Sequence, residues 1–315
     1  MDSFVFAAVL CAAAAHAGWN AVIKRGLEPF TTTILISIGA GVVSLALIPF
    51  TGLPAPAAWP WVAASIVIHL GYFIGLIEAY RAGDMGQVYP IARGSAPLMT
   101  AMVSTTWLAE PLGLTGWVGL LLLVAGVFLL SLPPGSAPGS VEPGADPDSW
   151  KRAYPCRRTG IHFAGICAGG DLARLNRHAV GFALFTAVTI CGYSVVDGIG
   201  GRVSGNASGY SVVLFAGIGV VMAVYALLWR GQKVLAGMAP HWRKGAIGGS
   251  LQLGSYWVAI WAMTVAPIAV VAALRETSVL FGALIAVVVL KEPLRASRIV
   301  AALMIVSGLV LIRLH

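Results

Sequence analysis

The amino-acid sequence predicts an all-α polytopic membrane protein, with ten transmembrane helices in two inverted five-helix repeats. Three observations predict this fold class. Hydrophobic residues make up 58% of the 315 residues and charged residues only 10%, too few charges to cover the surface of a soluble protein of this length. Ten apolar stretches reach the roughly 20 residues that a bilayer crossing requires. Short motifs also recur in the same order in the two halves of the chain.

The ten predicted spans are joined by short connections, with one exception. They cover residues 3–23, 31–50, 58–80, 86–108, 114–132, 179–199, 209–229, 245–264, 268–290 and 296–313. The exception, 133–178, begins rich in Pro and Gly and continues with acidic and then basic residues, which is typical of a solvated linker. We therefore expect a first five-helix repeat over 1–132, a central linker over 133–178 and a second five-helix repeat over 179–315.

The repeat is indicated by four matches between the halves. In chain order, the matched pairs are Gly18-Trp19-Asn20 with Gly192-Tyr193-Ser194, Arg93 with Arg275, Glu110-Pro111-Leu112 with Glu292-Pro293-Leu294, and Gly126 with Gly308. The last three pairs share an offset of 182 residues. Because each half has an odd number of spans, the second half must enter the membrane upside down relative to the first. Many secondary transporters have this inverted-repeat architecture.

The positive charges predict the orientation in the membrane. Of the 20 Lys and Arg residues, 16 fall on one predicted face and two on the other, while two lie inside spans. The positive-inside rule then places the linker in the cytoplasm and both termini outside. This distribution also explains the formal net charge of +8 without a nucleic-acid partner, and we expect none.

The chain resembles the EamA-type transporters of the drug/metabolite transporter superfamily. The resemblance rests on ten spans in two halves, each with an acidic-Pro-Leu signature after its fourth span, and it covers nearly the whole chain. The segments 87–98 and 192–198 are also similar to a bacterial subgroup associated with phosphonate utilisation. The resemblance implies a transporter of the bacterial inner membrane with a central cavity between the halves. It leaves the solute open, because members move amino acids, nucleotide sugars, phosphorylated metabolites and drugs.

Two arginines inside spans are the strongest candidates for binding a solute. Arg93 and Arg275 each lie about eight residues into an apolar stretch, where a guanidinium group costs about 2.5 to 17 kcal/mol unless it faces a cavity or the protein interior. Since their spans run in opposite directions, both groups approach the midplane. A guanidinium fork suits carboxylate, phosphate or phosphonate. The alternative is a structural role, in which each arginine pairs with a carboxylate or with helix carbonyls.

Aromatic and polar residues within the spans are further candidates for the wall of the cavity. These residues are Tyr72, Tyr89, Tyr193, Tyr256, Trp257, Trp261 and Asn20. Tyr89 lies one helical turn before Arg93 and therefore on the same face. Pro90 and Pro97 flank the same arginine, and they predict a kink or break in the fourth span, because each proline removes a backbone donor.

Three carboxylates in the spans are candidates for proton or ion coupling: Glu276, Glu78 and Asp197. Glu276 follows Arg275 directly, and adjacent helical residues point about 100° apart, so we expect it to pair with another helix. Glu78 and Asp197 lie near predicted span ends, where they could instead reach the membrane interface.

We therefore expect secondary transport of a small organic anion or zwitterion, such as an amino acid or aminophosphonate, by alternating access at a midplane site. No motif or spacing indicates an enzyme or a metal site, and we expect no cofactor. The partners expected are the small solute and the lipid bilayer, with the chain a monomer or homodimer. Two alternatives remain. One is multidrug or cation efflux, which the intramembrane arginines oppose because they repel cations. The other is a flippase for anionic lipids, which requires a lateral opening.

Overall fold

The computed structural model describes residues 1–23, 29–82, 85–131, 177–231, 237–288 and 296–314. Within these ranges the chain is helical and contains no strand. The helices are α1 (Ser3–Ile23), α2 (Pro29–Thr51), α3 (Trp59–Ala82), α4 (Met85–Trp107), α5 (Leu114–Ser131), α6 (Arg177–Val203), α7 (Ala207–Arg230), α8 (Trp242–Val265), α9 (Ile268–Arg275), α10 (Ser278–Val288) and α11 (Ala296–Leu314). Short 3-10 turns, Pro56–Ala58 and Ala239–His241, precede α3 and α8.

Each predicted span corresponds to a helix in this order, and only the ninth span is divided into two. Six stretches are long and apolar enough to cross a membrane by length and composition, and two shorter helices are also apolar. Large apolar side chains such as Phe50 and Leu228 are exposed on the outer faces, as helices that face lipid require. The chain is therefore a multi-pass membrane protein. The expected linker lies outside the described residues, apart from Arg177 and His178 at the start of α6.

Many contacts between helices occur in pairs, in which the second contact joins the counterparts, in the other half of the chain, of the helices in the first. α3 packs on α6 as α8 packs on α1, and α4 packs on α6 as α9 and α10 pack on α1. Two helices pack extensively on their own counterparts, α2 on α7 and α5 on α11. The halves are thus interleaved, and helices from both surround the middle of the molecule.

Two of these crossings depend on glycine. A Cβ atom added to Gly41 of α2 would lie 2.8 Å from the Cα atom of Gly219 on α7. A Cβ atom added to Gly119 of α5 would lie 2.7 Å from the carbonyl oxygen of Gly308 on α11. Both distances are shorter than a carbon atom tolerates, so only residues without a side chain allow the backbones to approach this closely.

Glu110, the acidic residue of the first acidic-Pro-Leu signature, connects the two halves. Its carboxylate pairs with Arg202 near the end of α6, accepts the Ser104 hydroxyl, and accepts the backbone N–H of Ile268 at 2.9 Å. Ile268 begins α9, and a carboxylate at a helix N-terminus satisfies a donor that has no partner within the helix. The signature therefore works here as a helix cap supplied by the opposite half. The second signature, 292–294, lies outside the described residues.

The ninth span, predicted over 268–290, is interrupted at its centre. α9 ends at Arg275 and α10 begins at Ser278. Between them, the backbone N–H groups of Glu276 and Thr277 donate to carbonyl oxygens three residues back instead of four. This interruption lies directly after Arg275, one of the two arginines inside the spans. A short 3-10 stretch inside a helix often marks a functional hinge.

A break in the fourth span is not observed. α4 is continuous from Met85 to Trp107, although it contains Pro90 and Pro97. Prolines are tolerated inside transmembrane helices when neighbouring groups satisfy the freed carbonyls. In the ninth span the interrupting residues are instead polar, four in succession over 275–278, and the Thr277 hydroxyl donates back to the carbonyl of Leu274 at 2.7 Å. A side chain that bonds its own backbone in this way competes with regular helix geometry.

The close crossing of α5 and α11 leads to a prediction about stability. We expect Gly119→Ala to lower the free energy of unfolding by about 1–3 kcal/mol, because the added methyl group overpacks the contact with Gly308. Gly181→Ala is the matched control, since nothing lies within 4 Å of a Cβ atom there. Thermal unfolding of both variants in detergent measures the difference. Equal melting temperatures would contradict the packing described here.

Candidate functional site

A cavity lies where seven helices from both halves meet: α1, α3, α4, α6, α7, α8 and α9. It contains about 680 Å³ of space free of atoms, including its open mouth, and it has room for about four to six water molecules. The apolar residues that line it are Ala12, Ala13, Phe73, Phe215 and Ile218. The polar residues are His16, His69, Tyr72, Arg93, Tyr193, Gln252, Ser255, Tyr256 and Arg275.

Arg93 of α4 bridges the halves at this cavity. Its Nη1 atom donates to the Oε1 atom of Glu276 at 3.3 Å, and its Nη2 atom lies 3.3 Å from the Nε2 atom of His16. The Arg93 and Glu276 side chains are only 13% and 5% exposed, so both charges are largely removed from water. The second carboxylate oxygen of Glu276 is buried and has no hydrogen-bond partner among the described residues. The positive charge of Arg93 is thus compensated by the residue at the interruption of the ninth span.

Arg275, at the end of α9, has a different environment. The Cζ atom of its guanidinium group lies 4.5 Å from the centroid of the Tyr256 ring, which is a cation–π contact. Within the described part of the chain, the ion pairs involve Arg93 and Arg202, and none involves Arg275. Since Arg275 also lines the cavity, its N–H donors can meet an anion that enters.

Aromatic rings surround the neighbouring part of the cavity. The His69 and Tyr193 rings stack with centroids 4.2 Å apart, and Tyr256 meets both rings edge-on at 5.9 Å. Tyr72 meets Tyr193 edge-on at 5.7 Å. The Nδ1 atom of His69 lies 2.9 Å from the carbonyl oxygen of Ser65; this bond requires a proton on Nδ1, because a carbonyl oxygen only accepts. In a neutral ring the Nε2 atom is then an acceptor.

Asp197 of α6 lies behind Tyr256, away from the lining of the cavity. Its side chain has no exposed surface. The Tyr210 hydroxyl donates to Oδ1 at 3.0 Å, and the Tyr256 hydroxyl donates to Oδ2 at 2.5 Å. The expectation that this carboxyl group reaches the membrane interface does not hold, because α6 continues to Val203 and keeps the side chain inside the bundle. Glu78 of α3 is half-buried and does not line the cavity.

The structure brings together five of the residues selected from the sequence as solute-binding candidates. Those that line the cavity are Arg93, Arg275, Tyr72, Tyr193 and Tyr256. Trp257 and Trp261 lie outside its lining: the Trp257 indole donates to a hydroxyl on α7, and the Trp261 ring packs edge-on against a ring of α1. Tyr89 and Asn20 belong to α4 and α1, but their side chains lie outside the described residues.

Four further polar residues line the cavity: His16, His69, Gln252 and Ser255. The buried Oε1 atom of Gln252 has no hydrogen-bond partner in the described part of the chain. The sequence signal was their position as polar residues within apolar spans. That signal does not say which partner each residue meets, because the partners lie on other helices.

The family model of the EamA-like transporters matches the chain twice, over residues 3–132 and 179–314. The chain belongs to this family. The two matches confirm the resemblance and the two-repeat, all-helical fold class expected from the sequence. EamA-like proteins are transporters of the drug/metabolite transporter superfamily rather than enzymes, and this chain is accordingly a transporter.

A likeness among solved structures agrees with this fold. A crystal structure described only as that of a protein has a TM-score of 0.68 and 18% identity, covering 99% of this EamA-like chain and 96% of its own. At that identity the likeness shows the fold alone. A comparison with curated proteins finds no match.

The pairing of Arg93 with Glu276 predicts a specific pattern of stability. We expect Arg93→Leu and Glu276→Leu each to lower the free energy of unfolding by about 3–5 kcal/mol, because each leaves one buried charge without its partner. The double variant should lose less than the sum of the two, since it removes both charges. Reversible unfolding in detergent measures all three, with Glu78→Gln as a control acid outside the cavity. Additive losses would show that the two residues do not interact.

Proposed function

We propose that this transporter moves a small organic anion or zwitterion, such as an amino acid or an aminophosphonate, by alternating access. The solute binds near the midplane, in the cavity between the two halves. The observation that carries this proposal is the environment of Arg275, a guanidinium group that lines the cavity and forms no ion pair among the described residues.

The charges around the cavity favour an anionic group on the solute. Arg93 is compensated by Glu276, so Arg275 leaves one net positive charge at the lining. A guanidinium group inside a membrane is costly without compensation, and a carboxylate or phosphonate offers two oxygens to its planar fork. Binding of a monoanionic group therefore compensates the charge of Arg275, which is costly to keep inside the membrane when the site is empty.

The other lining groups favour a small zwitterion over a simple anion. The cavity has room for about four to six water molecules, which suits a solute of the size of glycine or aminomethylphosphonate. The aromatic rings of Tyr72 and Tyr193 can hold an ammonium group by cation–π contact. The acceptor atoms of His69 and Gln252 can accept its hydrogens. Anionic and cationic ends of one small solute thus find separate partners in the same cavity.

The interruption of the ninth span supports alternating access. Arg275 and Glu276 flank it, one directed to the cavity and the other joined to Arg93 of the opposite half. Discontinuous helices at the interface of inverted repeats commonly form the solute site of secondary transporters. A solute that engages Arg275 therefore acts at the hinge of α9 and α10, where a small rotation changes how the halves contact each other.

The alternatives from the sequence are less compatible with this cavity. An efflux transporter for cationic drugs would have to bind its solute beside Arg275, with one net positive charge in the lining. A flippase for anionic lipids would need room for acyl chains, whereas the cavity has room for only about four to six water molecules. Because both halves of one chain form the cavity, a monomer is sufficient for transport.

A panel of compounds tests the solute class. We expect glycine, alanine or aminomethylphosphonate to raise the melting temperature of the detergent-purified protein, and tetraphenylphosphonium to have no effect. A ligand of the folded state at 100 times its dissociation constant adds about 2.7 kcal/mol. The stabilisation should disappear in Arg275→Leu and persist in Trp257→Phe, which alters an aromatic residue outside the cavity. Stabilisation by the cation alone would contradict the proposal and favour drug efflux.

A second test concerns the orientation proposed from the charges. We expect both termini on the periplasmic side of a bacterial inner membrane, with the central linker in the cytoplasm. An alkaline phosphatase fusion after His315 should therefore be active, because that enzyme folds only in the periplasm. Activity of a cytoplasmic reporter at the same position would contradict this orientation.

A further inference from the structure

The carboxyl group of Asp197 is held in a site behind the cavity and is connected to it through Tyr256. Each of its oxygens accepts one tyrosine hydroxyl, from Tyr210 of α7 and Tyr256 of α8. The ring of Tyr256 lines the cavity and carries the guanidinium group of Arg275 on its face. Tyr256 therefore contacts both the buried acid and the arginine that the proposed function assigns to the solute.

The sequence of α6 makes room for this arrangement. A Cβ atom added to Gly200 would lie 2.6 Å from the Tyr210 hydroxyl oxygen, so glycine at this position allows Tyr210 to approach α6 beside Asp197. Gly198 likewise accommodates the side chain of Ile268, the first residue of α9. The acid is thus surrounded by elements that also position Arg275.

Charged and titratable groups face Asp197 from several packed helices, but none neutralises it directly. They are His69 from α3, Tyr210 from α7 and Tyr256 from α8, together with the Ser65 hydroxyl of α3. Arg275 of α9 lies beyond them, on the face of the Tyr256 ring. Among the described residues, no basic side chain lies within ion-pair distance of the Asp197 carboxylate. A buried carboxylate without a counter-charge is costly, and buried acids of this kind form proton relays in pumps and transporters.

We propose that Asp197 is a proton-binding site that is coupled through Tyr256 to the solute site at Arg275. This inference rests on the proposed function for its solute, and it adds that a proton and the solute anion bind together. The proton comes from water, forms an O–H bond on one carboxyl oxygen of Asp197, and returns to water when the carboxylate forms again.

The hydrogen bonds explain how the two events are coupled. When Asp197 is ionised, both tyrosine hydroxyls donate to it, and the ring of Tyr256 is polarised toward negative charge, which strengthens its contact with Arg275. When Asp197 is protonated, one oxygen becomes a donor, and a tyrosine that accepts this hydrogen must turn its own hydrogen away. If that tyrosine is Tyr256, its ring holds Arg275 less strongly, and the guanidinium group is released toward an anion.

Protonation of Asp197 also favours anion binding at Arg275 electrostatically, because it removes one negative charge. A protonated Asp197 leaves the region around the cavity more positive, which favours an anion at Arg275. Because coupling between two binding sites is reciprocal, an anion at Arg275 must also favour the proton on Asp197. Glu276 is less suited to this role, since it is paired with Arg93.

Infrared difference spectroscopy tests the proton site without knowledge of the solute. Spectra of the purified protein are recorded between acidic and alkaline buffer. We expect the C=O stretching band of a protonated carboxyl group, lost in Asp197→Asn and retained in Glu78→Gln. Tyr256→Phe keeps the acid but removes one hydrogen bond, so it should shift the band, which provides a test if Asp197→Asn fails to fold. A band unchanged in Asp197→Asn or in Tyr256→Phe would overturn the assignment.

The coupling is tested with Arg275→Leu, which removes the positive charge as a bound anion would neutralise it. We expect the Asp197 band to persist to more alkaline buffer in this variant than in the wild-type protein. An identical titration in both would overturn the coupling. The compound panel on the same preparations separates the two proposals, because a failure of every anion to stabilise the protein contradicts the solute assignment while leaving the infrared band of Asp197 in place.

Discussion

Two guanidinium groups inside the membrane-spanning part of the chain require compensation, and the surrounding residues provide it in two different ways. Arg93 pairs with Glu276 and contacts His16, so its charge is neutralised within the protein. Arg275 lies on the face of Tyr256 and lines the cavity. A cation–π contact compensates the charge of Arg275 far less than an ion pair would, and for this reason we propose Arg275 as the partner of a solute anion.

The repeat explains why the two arginines meet, and its imperfections explain why they differ. An offset of 182 residues relates Arg93 to Arg275 and Gly94 to Glu276. The acid is therefore present only in the second half, while Phe128 packs against Gly94 in the first. Glu276 reaches back to Arg93, so that the acid of one half neutralises the arginine of the other. A symmetric scaffold thus supports an asymmetric charge distribution, and the net positive charge remains with Arg275.

The sequence was sufficient to predict the helices, their order and the repeat, because hydropathy reports directly on burial in lipid. It also selected the two arginines, since an intramembrane charge is visible without any structure. The break in the ninth span was not predicted: proline was expected to interrupt a helix, whereas a run of polar residues beginning at Arg275 does so. Asp197 was misplaced near the interface for a related reason, since the sequence does not show that Tyr210 and Tyr256 converge on it from other helices.

We propose that the anionic group of the solute binds to Arg275 in the cavity between the halves. An experimental structure with aminomethylphosphonate bound tests it most directly. We expect phosphonate oxygens within hydrogen-bond distance of the Arg275 Nη atoms, with the ammonium group directed toward Tyr72 and Tyr193. A solute bound elsewhere, or an Arg275 side chain paired with a carboxylate of the protein while the solute is bound, would contradict it.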